Sequence, residues 1–361
     1  MSYVSHRRFL MKEFPLHYFR LESDVWKNIF ISQYLLKNGF HCHIKDPLSF
    51  LSATQLNNYL DNNNIQCLLG IHLYKSGCLL KDCKKPYVII IGGTDVNKYH
   101  TDLHMLDIMT QTVSSARYLV VFGESLRKRV HHLWPNLPPK KLVEIKQAVI
   151  TNPSSFCLYE YLRSNDYIDN RSNNCDIKLF LLISGIRHVK DPLYLVKQMS
   201  YWHNEDDNIY YIIIGPMIEE DCYKEFTSTI KSLQGVVYIP GLSLSDTHTA
   251  IKQAYCVVNS SKSEGMSLAL LEAMELGTPV LARNICGNRD LITHKLTGLL
   301  FNTPQEFVKE AKYLIMVPNL RETLIAEAKV HVSKQHSSLV EEKKYCELIS
   351  KCLCQHYSDL P

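Results

Sequence analysis

Short apolar runs alternate with amphipathic stretches through the second half of the chain. The runs are rich in Val, Ile and Leu, and they predict six strands at 178–184, 209–214, 236–240, 256–260, 279–284 and 298–302. Helical spacing falls between most of them, at 219–233, 245–253, 267–276 and 304–313. Nearly continuous apolar runs are typical of strands buried on both faces of a parallel sheet. The alternation therefore predicts a doubly wound α/β domain.

The first half of the chain repeats this alternation less completely. It predicts helices at 26–38, 55–62, 103–116 and 125–133, and strands at 40–45, 66–72, 87–91 and 118–122. The polar stretch 152–175, rich in Asn and Asp towards its end, is typical of a connection between domains. We therefore expect an N-terminal Rossmann-like domain over 1–155, a linker over 156–176, and a C-terminal domain over 177–361 with the terminal helices. The two domains are expected to face a cleft.

Charge and composition exclude several classes of function. Lys and Arg number 40 against 36 Asp and Glu, a net charge of +4 without a concentrated basic stripe, so no nucleic-acid partner is expected. No apolar run approaches the ~18 residues that cross a bilayer, which predicts no transmembrane segment. Charges and Pro15 interrupt the N-terminal stretch, so no signal peptide is predicted. The oligomeric state is not predicted.

The 12 cysteines are irregularly spaced and form no Cys-x-x-Cys pair. This pattern favours reduced, mostly buried thiols over a disulfide framework. Together with the missing leader it predicts a cytoplasmic location. The alternative is a secretory location for a longer N-terminal form that carries a leader.

One candidate site follows the first strand of the second domain. Gly185 permits a tight turn, and Arg187 and Lys190 then place two cations at a strand end. A guanidinium and an ammonium at this spacing suit a diphosphate, one as a fork and one as a point charge. A solvated basic loop is the alternative interpretation.

A second candidate site surrounds Glu264, where a strand ends and a helix is predicted to begin near Met266 or Ser267. Free backbone N–H groups at a helix start attract anions, and Gly265 allows a phosphate to approach the backbone. Glu272 follows about two turns into the helix, so the two carboxylates could hold hydroxyls at opposite ends of an extended ligand. The alternatives are a helix cap at Glu264 and an ordinary surface acid at Glu272.

The first domain contributes a third candidate site. His72 ends an apolar strand, and Gly92 and Gly93 end the next one. A lone histidine is more often structural than catalytic, and the glycine pair also fits a simple turn. The pair is not a Gly-x-Gly-x-x-Gly fingerprint, which argues against a nicotinamide enzyme.

Together these segments resemble the GT-B glycosyltransferases of family 4, the glycosyl transferases group 1. The resemblance covers the whole second domain and is most specific at the Glu-x7-Glu element formed by Glu264 and Glu272. It continues through 276–280, 287–292 and 297–301. Within the family, segments 185–192 and 92–97 resemble one group of vertebrate members more narrowly.

The resemblance implies a nucleotide-diphosphate sugar as donor, an unidentified acceptor, and transfer with retention of anomeric configuration. It implies a catalytic set that comprises His72, Arg187, Lys190 and Glu264. Its implied donor-binding set comprises Gly185, Arg187, Lys190, Glu264, Gly265, Met266, Ser267, Leu268 and Glu272. In that set Glu264 contacts sugar hydroxyls and Glu272 holds the ribose. No permanent cofactor and no metal site are expected, since the chain has no Asp-x-Asp motif.

The start of the chain departs from the family pattern. The first domain of the family opens with a strand and a glycine-rich loop, whereas residues 1–25 contain no glycine and no clear strand pattern. We therefore expect a first domain that lacks both features. Two alternative functions follow: a catalytically impaired nucleotide-sugar-binding protein, or an epimerase or hydrolase of nucleotide sugars.

Overall fold

A computed structural model of the 361-residue chain describes residues 7–11, 23–168 and 176–358. The chain forms two compact units, one made of Met1–Ala148 with Ser338–Pro361 and the other of Val149–Ser337. Each unit contains one six-stranded sheet in which every neighbouring pair of strands is parallel. The predicted α/β class with two Rossmann-like units is therefore confirmed.

The first unit has the strand order β2-β1-β3-β4-β5-β6. Its strands are β1 (Arg7–Met11), β2 (Phe40–Ile44), β3 (Cys67–Ile71), β4 (Tyr87–Ile90), β5 (Tyr118–Val121) and β6 (Leu142–Glu144). Its helices are α1 (Ser23–Lys37), α2 (Ala53–Asn62), α3 (Leu73–Leu80), α4 (Gly93–Asn97), α5 (Leu103–Ser115), α6 (Glu124–Leu133) and, from the end of the chain, α15 (Ser338–Ser358).

The second unit has the strand order β12-β11-β10-β7-β8-β9. Its strands are β7 (Lys178–Ile183), β8 (Ile209–Ile214), β9 (Val236–Ile239), β10 (Cys256–Asn259), β11 (Val280–Arg283) and β12 (Leu299–Phe301). Its helices are α7 (Leu158–Ser164), α8 (Val196–Glu205), α9 (Glu220–Ile230), α10 (Leu244–Gln253), α11 (Leu268–Leu276), α12 (Cys286–Arg289), α13 (Pro304–Met316) and α14 (Leu320–Gln335).

Burial on both faces explains the unbroken apolar runs of the second sheet. Along β7, Leu179 and Leu181 pack into one hydrophobic cluster, and Phe180 and Leu182 pack into another. Successive strand residues point to opposite faces, so a strand covered by helices on both sides needs apolar residues at every position.

The strand orders place a switch point in each sheet. Read from β9, the second sheet has the 3-2-1-4-5-6 order of doubly wound folds, and its chain direction reverses between β7 and β10. In the first sheet the reversal lies between β1 and β3. In open α/β sheets, ligands bind at the carboxyl ends of the strands beside such points.

The structure corrects the expectation that the first domain lacks its opening strand. β1 pairs in parallel with β2 along its whole length and with β3 at Phe9 and Leu10. Arg7 and Arg8 break the apolar pattern by which the other strands were predicted. β1 is therefore recognised only by its backbone pairing with β2 and β3. The segment expected to carry a glycine-rich loop, 12–22, lies outside the described residues, and it contains no glycine in sequence.

The unit boundaries also differ from the predicted domains. The predicted linker contains α7, whose Leu158 and Leu162 are buried in the core of the second unit. At the end of the chain, α15 belongs to the first unit and not to the second. It packs on that unit's sheet, where the sulfur atoms of Cys352 on α15 and Cys67 on β3 lie 3.3 Å apart. The polar composition of 152–175 predicted a linker where the structure has the helix α7. Local sequence also does not show that α15, at the end of the chain, packs in the first unit. Among the described helices, none is long and apolar enough to cross a membrane.

Candidate functional site

Two loops meet at the switch point of the second sheet, one after β7 and one after β10. Because Leu182 of β7 pairs with Val258 of β10, the two strands deliver their loops to the same edge. The Ser260 hydroxyl donates to the Lys190 carbonyl at 3.0 Å, and the Lys262 N–H donates to the Val189 carbonyl at 2.9 Å. The basic turn and the glutamate loop thus form one continuous surface.

Glu264 is the most densely connected side chain of this surface. Its Oε1 lies 2.6 Å from the Lys190 ammonium, and it accepts from the Ser261 hydroxyl at 2.7 Å and the Asn259 amide at 3.0 Å. The side chain is only 8% exposed. Burial alone would raise the pKa of Glu264, but the Lys190 charge and the hydrogen bonds from Ser261 and Asn259 outweigh burial and lower it below its ordinary value. Glu264 is therefore held ionised.

The two oxygens of Glu264 differ in their surroundings. All three contacts are made by Oε1, and no hydrogen bond from a described residue reaches Oε2. The Glu264 backbone is fixed from the other side by Gly287, where an added Cβ would lie 2.3 Å from the Glu264 carbonyl oxygen. One carboxylate oxygen is thus anchored in the protein, while the other remains available to a ligand.

A buried amide behind this loop was not predicted from the sequence. Asn259 ends β10, and its Oδ1 accepts from the Ser261 N–H at 3.2 Å and from the Asn288 side-chain amide at 3.0 Å. Asn288 also donates to the Arg283 carbonyl. Asn288 falls within the 287–292 segment of the family resemblance, which was the only sequence signal for it.

The two predicted cations, Arg187 and Lys190, have different environments. Lys190 is committed to Glu264, as described above. Arg187 precedes the short 3-10 turn His188–Lys190 with extended backbone, and its side chain is half-buried. Within the described part of the chain, its guanidinium has no hydrogen bond or ion pair. Gly185 makes room for Ile218, whose side chain lies 2.7 Å from the position of an added Cβ.

The N-terminus of α11 keeps its backbone N–H groups uncapped. The helix begins at Leu268, one residue after Ser267, whose hydroxyl accepts from Asn259 at 3.2 Å and does not cap the helix. Gly265 and Met266 precede it and are half-buried. The uncapped turn and the positive end of the helix dipole are suited to an anion.

Glu272 is not a surface acid, because α11 carries it inward. The residue is 3% exposed, and its Oε1 lies 3.6 Å from His248 Nε2 of α10. No hydrogen-bond partner in the described structure reaches Oε2, which is fully buried. The surface-acid alternative is therefore wrong for Glu272.

His72 lies in the first unit, at the end of β3 and beside that unit's switch point. It has a positive φ of 69°, which is rare for residues other than glycine. Its Nδ1 lies 3.3 Å from Oδ2 of Asp95, a carboxylate with no exposed surface. Asp95 also accepts from the backbone N–H groups of Leu73, Tyr74 and Gly92 at 2.9 to 3.3 Å. A carboxylate only accepts hydrogen bonds, so His72 Nδ1 carries the donated proton.

Gly92 is required by the packing of His72. A Cβ at position 92 would lie 2.2 Å from His72 Nδ1, so the imidazole fills the space of a side chain there. The sequence drew attention to His72 and Gly92 but did not single out Asp95. Within the described ranges, no group of three His, Cys, Asp or Glu side chains is arranged to hold a metal ion.

Comparisons with known proteins agree on one family. The sequence model described as Glycosyl transferases group 1 matches residues 166–331. Glycosyltransferase 1 domain-containing protein 1 of Xenopus tropicalis is 37% identical over 319 residues, which cover 88% of this chain and 91% of that protein.

Solved structures show the same fold at low identity. HepE of Anabaena, in complex with UDP-glucose, superposes with a TM-score of 0.77 at 14% identity, covering 96% of this chain and 100% of that chain. Sucrose-phosphate synthase from Thermosynechococcus elongatus gives a TM-score of 0.80 at 12% identity, with 97% and 100% covered.

Proposed function

Because the chain belongs to the group 1 glycosyltransferases, we propose that it transfers a sugar, with retention of anomeric configuration, from a nucleotide-diphosphate sugar to an acceptor. The chain is a glycosyltransferase with the GT-B fold. HepE, which shares the fold, was solved with UDP-glucose, so a UDP-sugar is the first donor to test.

The environment of Glu264 carries the proposal. A buried, ionised carboxylate is costly unless it is paired, and here one oxygen is fully satisfied while the other has no partner among the described residues. Sugar hydroxyls are hydrogen-bond donors of the size and polarity that fit such an oxygen. We assign Glu264 Oε2 to donor-sugar hydroxyls and Glu272 to the ribose.

We assign the binding of the diphosphate to the positively charged groups at the same edge of the sheet. Arg187 supplies an uncommitted guanidinium, and the uncapped N-terminus of α11 supplies the backbone N–H groups of Gly265, Met266, Ser267 and Leu268. Lys190 serves both the carboxylate and the phosphates. When the bond from the sugar to the diphosphate breaks, these groups stabilise the leaving charge, which is worth ~3 to 4 kcal/mol for each well-placed donor.

His72 is assigned to the reacting sugar and the acceptor. Asp95 fixes its Nδ1 as a donor, so the opposite ring nitrogen is the one that can accept a proton or a hydrogen bond.

The binding part is tested by calorimetry with UDP-, GDP- and ADP-sugars. Arg187→Ala should weaken the preferred donor at least tenfold, since a charge-assisted hydrogen bond contributes about 1.5 to 3 kcal/mol. Lys197→Ala, which removes an exposed cation on α8, is the matched control and should bind normally. Unchanged binding by Arg187→Ala would refute the donor-site assignment.

The transfer part is tested by NMR analysis of products over a panel of acceptors. A product with the anomeric configuration of the donor, formed by the wild type and not by Glu264→Gln, supports a retaining transferase. Donor binding without transfer or donor hydrolysis would instead support the catalytically impaired binding protein, which the glycine-free 12–22 segment favours. A changed sugar without an acceptor would indicate an epimerase.

A further inference from the structure

His248, on α10, is a buried histidine that the proposed sugar and phosphate chemistry does not use. The residue is 1% exposed. Its Nδ1 accepts a hydrogen bond from the Asn152 backbone N–H at 3.0 Å. A neutral imidazole whose Nδ1 accepts must carry its proton on Nε2. That N–H faces Glu272 Oε1 at 3.6 Å, and Nε2 has no hydrogen-bond partner among the described residues.

The tautomer of His248 is set by a segment that is anchored elsewhere. The chain after Asn152 lies along α10: the Ser154 N–H donates to the Thr249 hydroxyl at 2.8 Å, and the Gln253 amide donates to the Phe156 carbonyl at 3.0 Å. These contacts hold the Asn152 N–H in place without help from His248. The imidazole therefore has one orientation in which Nδ1 is satisfied, and that orientation presents Nε2–H to Glu272.

Glu272 is left with an unequal pair of oxygens. Oε1 faces the His248 N–H, while Oε2 is buried and has no partner in the described structure. A buried carboxylate oxygen without a donor is unfavourable, and a ligand hydroxyl that donates to it removes that cost.

We propose that His248 is a positioning residue for ribose recognition: its Nε2–H fixes Oε1 of Glu272 and thereby directs Oε2 to the ribose hydroxyls of the donor. This inference rests on the proposed donor site. The separation of 3.6 Å is longer than a hydrogen bond, so in this structure the contact is electrostatic and orients the carboxylate through the N–H dipole.

The test compares a nucleoside diphosphate with its 2′,3′-dideoxy analogue by calorimetry, using whichever of UDP, GDP and ADP binds the wild type most tightly. The wild type should prefer the ribose form at least tenfold, because hydrogen bonds to a charged group contribute at this level. His248→Asn keeps an acceptor for Asn152 but loses the donor to Glu272, and its preference should fall below about threefold. His248→Gln places an amide N–H near the Nε2 position and should recover most of the preference.

Affinity for the dideoxy analogue distinguishes positioning from simple structural damage. It should stay within about twofold of wild type in His248→Asn, whereas a misfolded site would weaken both ligands equally. Lys252→Ala, which changes an exposed residue on the same helix and leaves the anchoring contacts of Asn152 intact, is the control and should keep the ribose preference.

Three results would overturn the inference: an unchanged preference in His248→Asn, an equal loss for both ligands, or a wild type without preference. The last result, accompanied by normal nucleotide binding that depends on Arg187, would leave the proposed donor site intact. A wild type that binds none of the three nucleotides would refute the proposed function itself, and with it the role of His248.

Discussion

Asp95 in the first unit and Glu264 in the second occupy comparable places, since each is a buried carboxylate beyond the end of a parallel strand, β4 for Asp95 and β10 for Glu264. Their partners differ. Asp95 uses both oxygens on the protein, with three backbone N–H groups and the His72 imidazole as donors. Glu264 uses only Oε1, on Lys190, Ser261 and Asn259. A carboxylate satisfied on both oxygens organises its surroundings, whereas one satisfied on a single oxygen still has capacity to bind a ligand.

In the first unit, the organising effect of Asp95 is seen in the backbone conformation of His72. His72 combines a positive φ of 69° with a ψ of 126°, a conformation that costs about 1 to 3 kcal/mol for such a residue and persists only where its surroundings enforce it. Asp95 enforces it by accepting from the backbone N–H groups of the first two residues of α3, Leu73 and Tyr74, and from the His72 ring itself. In the second unit, Asp191 has a comparable positive φ of 49° and pairs with Arg283 at 2.9 Å.

The strongest expected effect on stability comes from Lys190→Ala. Among the described residues, Lys190 is the only cation paired with this carboxylate, which is 8% exposed, and an uncompensated buried charge costs about 3 kcal/mol or more. We expect the free energy of unfolding in urea to fall by that amount. In the double variant Lys190→Ala with Glu264→Gln, most of the loss should be recovered. A double variant as unstable as the single one would show that Lys190 stabilises the fold by packing and not by charge.

Asp95→Asn should have the next largest effect, about 2 kcal/mol on unfolding. The amide is the same size but replaces one acceptor oxygen by a donor, which then faces backbone N–H groups. The control is Asp102→Asn: among the described residues this exposed side chain accepts only from the Met105 N–H at the start of α5, and asparagine is an equally good cap. Equal losses in both variants would contradict the organising role of Asp95.

Gly92→Ala is expected to cost about 1 to 2 kcal/mol through overpacking. The backbone at Gly92 is extended, with φ of −86°, so alanine introduces no conformational strain there. The loss therefore reports the displacement of the His72 ring, and transfer activity should fall with little change in donor affinity. Gly241→Ala is the control, since an added Cβ there meets nothing within 4 Å. Normal activity in Gly92→Ala would remove His72 from the reaction.

The change in stability that acid causes through Glu264 should be smaller than the effects of these substitutions. Burial and pairing shift the pKa of Glu264 in opposite directions, so the net shift is limited. Its pKa in the folded protein is below the ordinary value of 4.5, so the unfolded chain takes up the proton first. The stability that Glu264 contributes is complete above pH 4.5 and is lost as the pH falls through the lower folded value. The difference in unfolding free energy between wild type and Glu264→Gln should therefore shrink in acid. A difference that grows in acid would mean a raised pKa.

The comparison also shows what the sequence could predict. Strands buried on both faces were identified within one or two residues, as at 209–214, because apolar residues fill every position. β1 was missed because Arg7 and Arg8 interrupt its apolar residues, and only its backbone hydrogen bonds to β2 and β3 define it as a strand. Glu264, Arg187 and Lys190 were predicted as site residues from residue type and family resemblance. Asp95 and His248 were not, because their roles depend on partners 23 and 96 residues away that only the fold brings near.

The smallest expected effect on stability is that of Arg187→Ala, within about 0.5 kcal/mol of wild type. Its guanidinium forms no hydrogen bond or ion pair with any described residue, in contrast to Lys190 three residues later, which pairs with Glu264. Thermal and urea unfolding should thus be unchanged, while the affinity for the donor falls at least tenfold as stated above. This separation of binding from stability is what a cation reserved for a ligand must show. A loss of stability comparable to that of Lys190→Ala would mean that Arg187 has a structural partner, and the diphosphate would then have to be held by α11 and Lys190 alone.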